Sequence, residues 1–503
     1  DNGLIKQAEL ARDMAANSTK HETESMANLT AYMNDMMKDN IPEEPFTPQE
    51  TPEPEQGETE LSSADKANGV IEIKWLRGTS DNVSETPNAP VIKTEGLPSG
   101  TTMELVRYTG EGSTERERWV AGEEYSYLPG EGSSDNTSSK WANARVTIDG
   151  VDSYFVWIPR YAYRIIYFDS ADSKIAYQNG ELTEEEAIAQ RKITGYSDSR
   201  GIVDSDGKKV ANAESTTKTM VSEDYFMVHP AFTADPDIGG GFGNNNGTND
   251  NGISGIWVGK YEASLANKAD GTNIVLSSST DGDILLTEPE HTDKTIVTRP
   301  GYSSWRYITI GRSYTNAYNY ARNLESHMLK NSEWGAVAYL TESKYGRNGT
   351  EIGFSDDGYI TGGGTNNAYD TTTNQDQSTT GNVYGIYDMR GGAYETVAAY
   401  YNGSTSSNLT NNGGSFASQG GPSTKYATAY TGTSESTAYK YGDATYETSG
   451  WHSDRAYFVI SDYPFFSRGC YYSTDASGTG VFFYYANTGG ANPRYSFRFA
   501  LVV

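Results

Sequence analysis

The sequence predicts an α+β fold, on three observations. Near the C terminus Phe497, Phe499, Leu501 and Val503 alternate with Ser496, Arg498, Ala500 and Val502, the two-residue period of a strand with one face in a core. Between 313 and 329, Ala317, Tyr320, Ala321, Leu324 and Met328 recur at helical spacing. The composition, 53 Gly and 38 Tyr in 503 residues, is that of a turn-rich chain whose surface offers amphipathic rings in place of long charged arms.

Taken in order, residues 1–40 read as one helix. Leu4, Ala8, Ala11 and Ala15, then Met26, Leu29, Met33 and Met36, keep an apolar stripe, and Asp1 or Asn2 supplies a cap. Residues 41–66 form a Pro/Glu-rich spacer with no basic residue before Lys66; its prolines and like charges keep it extended. From 67 to 139 short β-like runs at 70–75 and 102–108 make a small β region, either a domain of its own or hairpins leaning on the next one. The segment 140–503 is the main domain, with strands expected at 153–160 and from 255. A helix is expected at Glu181–Arg191, whose Glu-rich first turn suits a helix N terminus, and a mobile Gly/Asn-rich surface loop at 235–255.

Charge and cysteine count remove whole classes of function. A net charge of -28 repels nucleic-acid phosphates and anionic lipid. One cysteine, Cys470, rules out a disulfide framework, and the five histidines (His21, His229, His291, His327, His452) show no metal-ligand spacing. No stretch reaches the roughly 18 apolar residues of a membrane span. The helical stripe starts at full strength at Leu4, so a hydrophobic segment is expected to precede Asp1 in the precursor.

Two runs carry a resemblance. Gly381-Asn382-Val383-Tyr384-Gly385-Ile386-Tyr387-Asp388-Met389-Arg390-Gly391-Gly392-Ala393-Tyr394-Glu395 and Arg494-Tyr495-Ser496-Phe497-Arg498-Phe499-Ala500-Leu501, with Ser467-Arg468-Gly469-Cys470-Tyr471 between them, resemble the formylglycine-generating-enzyme-like branch of the C-type lectin fold. Tyr154 to Pro159, Gly255 to Ser264 and Ser332 to Leu340 resemble its opening strands and conserved helical element, so the likeness spans about 140–503. It implies a C-type-lectin-like domain. In the enzymes of that family two cysteines hold copper, and the positions expected to carry them fall near Thr474 and Thr479 here. A hydroxyl does not replace a thiolate as a copper ligand, so an oxidase is disfavoured and the domain is read as non-catalytic. No cofactor is required. Calcium is the one ion the resemblance admits, through Glu395, although Gly392 stands where the pattern has an Asn ligand. Asp204–Gly207 and Asp281–Asp283 look like fragments of calcium loops but lack the remaining ligands. Asp1 to Ala8 resembles the segment that follows the hydrophobic helix of pilin-like proteins in Gram-positive anaerobes.

The ligand face is expected between 471 and 495, where Tyr and small polar residues crowd together as they do in binding loops. The candidates are Tyr471, Tyr472, Thr474, Asp475, Tyr484, Tyr485, Asn487, Asn492 and Tyr495. In place and composition the stretch also resembles the variable region of diversity-generating-retroelement target proteins. These features together predict an extracellular, surface-displayed binding protein. Its partner would be a host or bacterial surface protein or glycan, and segment 1–66 would mediate self-association. The alternative is a structural subunit of an extracellular filament.

Overall fold

The computed structural model describes residues 68–131, 135–168, 170–183, 186, 226–245, 250–356, 358–363, 368–418, 423–474 and 478–503. The helix expected at 1–40, the spacer at 41–66, Asp204–Gly207 and, of the helix expected at 181–191, all but residues 181–183 and 186 lie outside them. The described residues all belong to one compact unit, Glu58–Val503, and its architecture is α+β.

Three sheets organise it. The largest is fully antiparallel and contains β2 (Thr101–Tyr108), β3 (Trp119–Ala121), β4 (Asn143–Ile148), β5 (Val151–Pro159), β7 (Gly255–Gly259) and β13 (Phe499–Leu501). Its order is His327–Met328, β13, β7, β5, β4, β2, β3. A second sheet pairs β1 (Gly69–Leu76) with β6 (Tyr161–Tyr167), in register from Gly69 against Tyr167 to Trp75 against Tyr161. The strands before residue 140 are therefore part of these two sheets, β1 and β2 hydrogen-bonded to strands of the main segment, and they form no separate layer.

The third sheet is built on β8 (Tyr394–Tyr401), which pairs with β9 (Ala427–Tyr430) and β12 (Tyr495–Phe497) in parallel and with β10 (Phe465–Arg468) antiparallel. β11 (Tyr484–Asn487) pairs with β10. The two helices that matter for the core are α1 (Ile310–Tyr320) and α2 (Asn331–Glu342). α1 stops earlier than its apolar spacing suggests, because Ala321 leaves helical geometry and His327–Met328 pairs with β13 as a strand. Every residue of α2 is buried. Such a helix lacks a polar face, which is why periodicity alone marks it poorly.

Two expectations are corrected. The C-terminal alternation predicts one strand with one buried face. The stretch is two strands: β12 joins the third sheet, and β13 lies inside the largest one, between His327–Met328 and β7. Ser496, Arg498, Ala500 and Val502 are consequently as buried as the phenylalanines. The 235–255 loop is anchored where it is described: Phe242 is buried, its ring 4.8 Å from that of His327, and Gly239 and Gly240 carbonyls accept from the buried Lys330 Nζ at 3.1 and 2.6 Å.

Candidate functional site

Adjacent residues of a strand point to opposite sides of its sheet, and the start of β8 uses both. Glu395 points inward and is 1% exposed, while Tyr394 is half-buried on the outer side. Tyr394 is set between neighbours fixed by main-chain bonds. Its N–H donates to the Arg494 carbonyl at 2.9 Å, and the Tyr472 N–H donates to the Gly392 carbonyl at 2.9 Å. The ring of Tyr394 then lies 5.3 Å from Tyr471, 5.3 Å from Tyr495 and 5.8 Å from Phe483. The row continues through Tyr472, which meets Tyr471 at 5.9 Å and Tyr359 edge-on at 4.7 Å, and at the other end through Tyr485, which stacks on Phe483 at 6.2 Å and meets Tyr457 at 4.9 Å.

Each such pair adds about 0.5–1.5 kcal/mol beyond area burial, so the row is a rigid platform. Its tyrosines are all half-buried. Burial raises the phenol of Tyr394, and it pushes those of Tyr359 and Tyr485 up to about 12. At neutral pH these three hydroxyls are uncharged donors and acceptors. Arg494, exposed, places its guanidinium 5.0 Å from the Tyr471 ring centre, and Arg306 lies 3.9 Å over Tyr359.

Most of the expected site residues belong to this face. Tyr471, Tyr472, Tyr485 and Tyr495 are on it. The Thr474 hydroxyl closes a turn by donating to the Tyr471 carbonyl at 2.8 Å, and Asn492 Oδ1 accepts from the Arg494 N–H at 2.9 Å. Tyr484 and Asn487 are corrections. Tyr484 is on the inner side of β11, fully buried, with its hydroxyl on the Glu435 carboxylate and the Arg468 guanidinium 5.4 Å from its ring. Asn487 is buried because its Oδ1 turns back to accept from the Gly489 N–H at 2.5 Å. Asp475 lies outside the described residues. Tyr359, Tyr394, Tyr457, Arg306 and Arg494 were not anticipated as site residues. Tyr394 carried a usable signal, since it replaces a tryptophan of the family pattern, whereas nothing local marked Tyr359 or Tyr457.

The metal expectation at Glu395 is also corrected. Arg498 grips both of its oxygens, Nε to Oε2 at 3.0 Å and Nη2 to Oε1 at 2.6 Å, and donates further to the carbonyls of Gly259 and Tyr387. A cation bound at Glu395 would face that fixed positive charge. Gly392, in place of the expected Asn ligand, has φ +68°, and a Cβ there would sit 2.8 Å from Glu262 Oε1, so a side chain at this position would require the Glu262 carboxylate to shift. Asp283 is committed as well, its Oδ1 accepting from the Thr309 N–H and hydroxyl at 2.9 Å. Among the described residues the group compact enough to hold an ion is Glu288, Glu290 and His291, at the surface, where Glu288 also faces Arg312 at 3.6 Å.

Cys470 is buried. Its Sγ accepts from the Gly391 N–H at 3.2 Å, and burial pushes the thiol up to about 12. Its thiolate population at neutral pH is negligible. His327 and His452 are paired with Glu333 and Glu342, each at 2.9 Å, and burial pulls His229 down to about 3. A cavity of about 330 Å³ beside β1 has its charged lining paired internally, Arg164 with Glu72 at 2.5 Å. The platform is a half-buried aromatic surface with the exposed Arg494 at its end. No known family model matches this chain, and no curated protein does.

Proposed function

We propose that this is a non-catalytic, surface-displayed ligand-binding protein of the C-type-lectin-like, formylglycine-generating-enzyme-like type. Its binding face is the tyrosine platform of the third sheet, and its partner is a glycan or protein on a host or bacterial surface. One observation carries the reading. Six half-buried tyrosines (359, 394, 457, 471, 472 and 485) form, through Phe483, a continuous row of ring contacts on one outer face, with Tyr495 beside it. Rigid rings bind at low entropic cost, since little side-chain freedom remains to be lost. The buried thiol at Cys470, with Thr474 and Thr479 where the enzymes carry ligands, supports binding over oxidation.

The test compares the wild-type chain with Tyr472→Ala/Tyr485→Ala on a glycan array and on intact host and bacterial cells. The double substitution is expected to weaken binding at least tenfold while leaving the unfolding midpoint within a few degrees. Unchanged binding would overturn the assignment of the face.

A further inference from the structure

The chain carries 67 Asp and Glu against 39 Lys and Arg, so an arginine that meets no carboxylate stands against the general field of the molecule. The platform has two at one end. Arg494 is exposed and lies beside Tyr471, with no hydrogen bond or ion pair from its guanidinium among the described residues. Arg306 is 9% exposed; its Nη1 donates to the Pro493 carbonyl at 2.8 Å and its Nη2 to the Leu276 carbonyl at 3.5 Å, while its buried Nε–H has no acceptor among the described residues. Both act on Tyr359, and Arg494 also on Tyr394 and Tyr495, and no carboxylate is among the leading charged neighbours of these three phenols. A buried, uncompensated guanidinium costs stability, and an anion arriving from outside would offset that cost.

The loop that presents Arg494 is fixed at both ends. Tyr307 N–H donates to the Asn492 carbonyl at 2.9 Å, Asn492 Oδ1 accepts from the Arg494 N–H, and the Arg494 carbonyl accepts from Tyr394. The charge is thus held at the end of a row of rings. The outer edge of β11 is covered, since Tyr457 N–H donates to the Tyr484 carbonyl at 3.0 Å, so that edge offers no free backbone row to an extended peptide. The rings of half-buried tyrosines beside an exposed guanidinium suit a pyranose ring that carries an acid.

Resting on the platform as the binding face, we propose that its ligand is an anionic saccharide, with the sugar ring on Tyr471 and Tyr472 and its carboxylate or sulfate on Arg494, inside the field of Arg306. The test titrates the full chain with a neutral oligosaccharide and with its uronate and its sulfated counterparts. The expected result is at least tenfold tighter binding of one acidic form than of the neutral one, a difference that shrinks as salt rises. Arg494→Gln should bring that ratio to about one. The uronate and sulfate arms show which acid is read. Equal binding of acidic and neutral forms, or a ratio that survives Arg494→Gln, overturns the proposal and leaves the platform reading standing. Binding of none of these saccharides while Tyr472→Ala still abolishes cell binding also overturns it, in favour of a protein ligand. Loss of the platform reading itself would show as cell binding indifferent to the tyrosines.

Discussion

The two sides of β8 use the same kinds of residue in opposite ways. On the inner side Glu395 and Arg498 are buried and bidentate, and nearby Glu333 is held between His327, Lys330 and the Lys330 N–H. Every charge of these two groups has its counter-charge within the core. On the outer side Arg494 and Arg306 meet rings and carbonyls but no carboxylate among the described residues, and the tyrosines are half-exposed. A charge that is fully answered inside the fold stabilises it, and one left unanswered at a rigid surface is available to something else. The motif that marks the family-like sequence pattern belongs mostly to the first kind, so it reports on folding; the surface beside it is the one proposed for binding.

The largest expected effect breaks the inner side. Burial raises the proton affinity of Glu395 against the pull of Arg498, so Arg498→Met would strand it beside the buried carboxylates of Glu262 and Asp388, whose own proton affinities are raised by burial and by Glu395. Removing one partner of a buried pair costs about 3–5 kcal/mol, so denaturant unfolding should show a loss of that size. A loss under about 1 kcal/mol would mean that the pair is not buried as described.

A pH series sharpens the same side. Burial alone would raise Glu333, but His327 and Lys330 hold it at about 2, below its ordinary 4.5. Its contribution is therefore present above pH 4.5 and lost as pH falls from 4.5 towards 2, on the order of 3 kcal/mol in all. His452 runs the other way. Burial opposes its charge, yet Glu342, Glu351 and Asp454 raise it to about 9 from 6.5. Its contribution is complete below pH 6.5 and disappears between 6.5 and 9. Subtracting the pH–stability curve of Glu333→Gln from the wild-type curve should show the acid step, and His452→Gln the alkaline step. Flat differences would contradict the pairings.

Much of this fold was legible in the sequence, and the reasons are local. The strands at 69–76, 101–108, 151–159 and 255–259 carry enough β-branched and aromatic residues to be recognised. Pairing between them is a tertiary property, so the incorporation of β1 and β2 into two larger sheets could not be read. The C-terminal alternation was real in pattern but misleading in burial, because Arg498 at a polar position is taken inside by Glu395. For the site, composition located the Tyr-rich stretch, yet could not tell Tyr484 from Tyr485: neighbours on β11 face opposite ways, and only the pairing with β10 decides which is inside. Tyr359 and Arg306 reach the face from far away in sequence, and no spacing rule connects them to it.

The most direct test of the contrast uses two tyrosines from that one stretch, Tyr484→Phe and Tyr472→Ala, each measured for unfolding free energy and for binding to intact cells. Tyr484→Phe removes the buried hydroxyl's bond to the half-buried Glu435 carboxylate and should cost about 1–3 kcal/mol, with affinity unchanged. Tyr472→Ala should cost no more than about 1 kcal/mol of stability, the scale of its ring contacts, and reduce affinity at least tenfold. The reverse pattern, with affinity lost at Tyr484 and kept at Tyr472, would contradict the division of this sheet into an answered interior and an unanswered binding face.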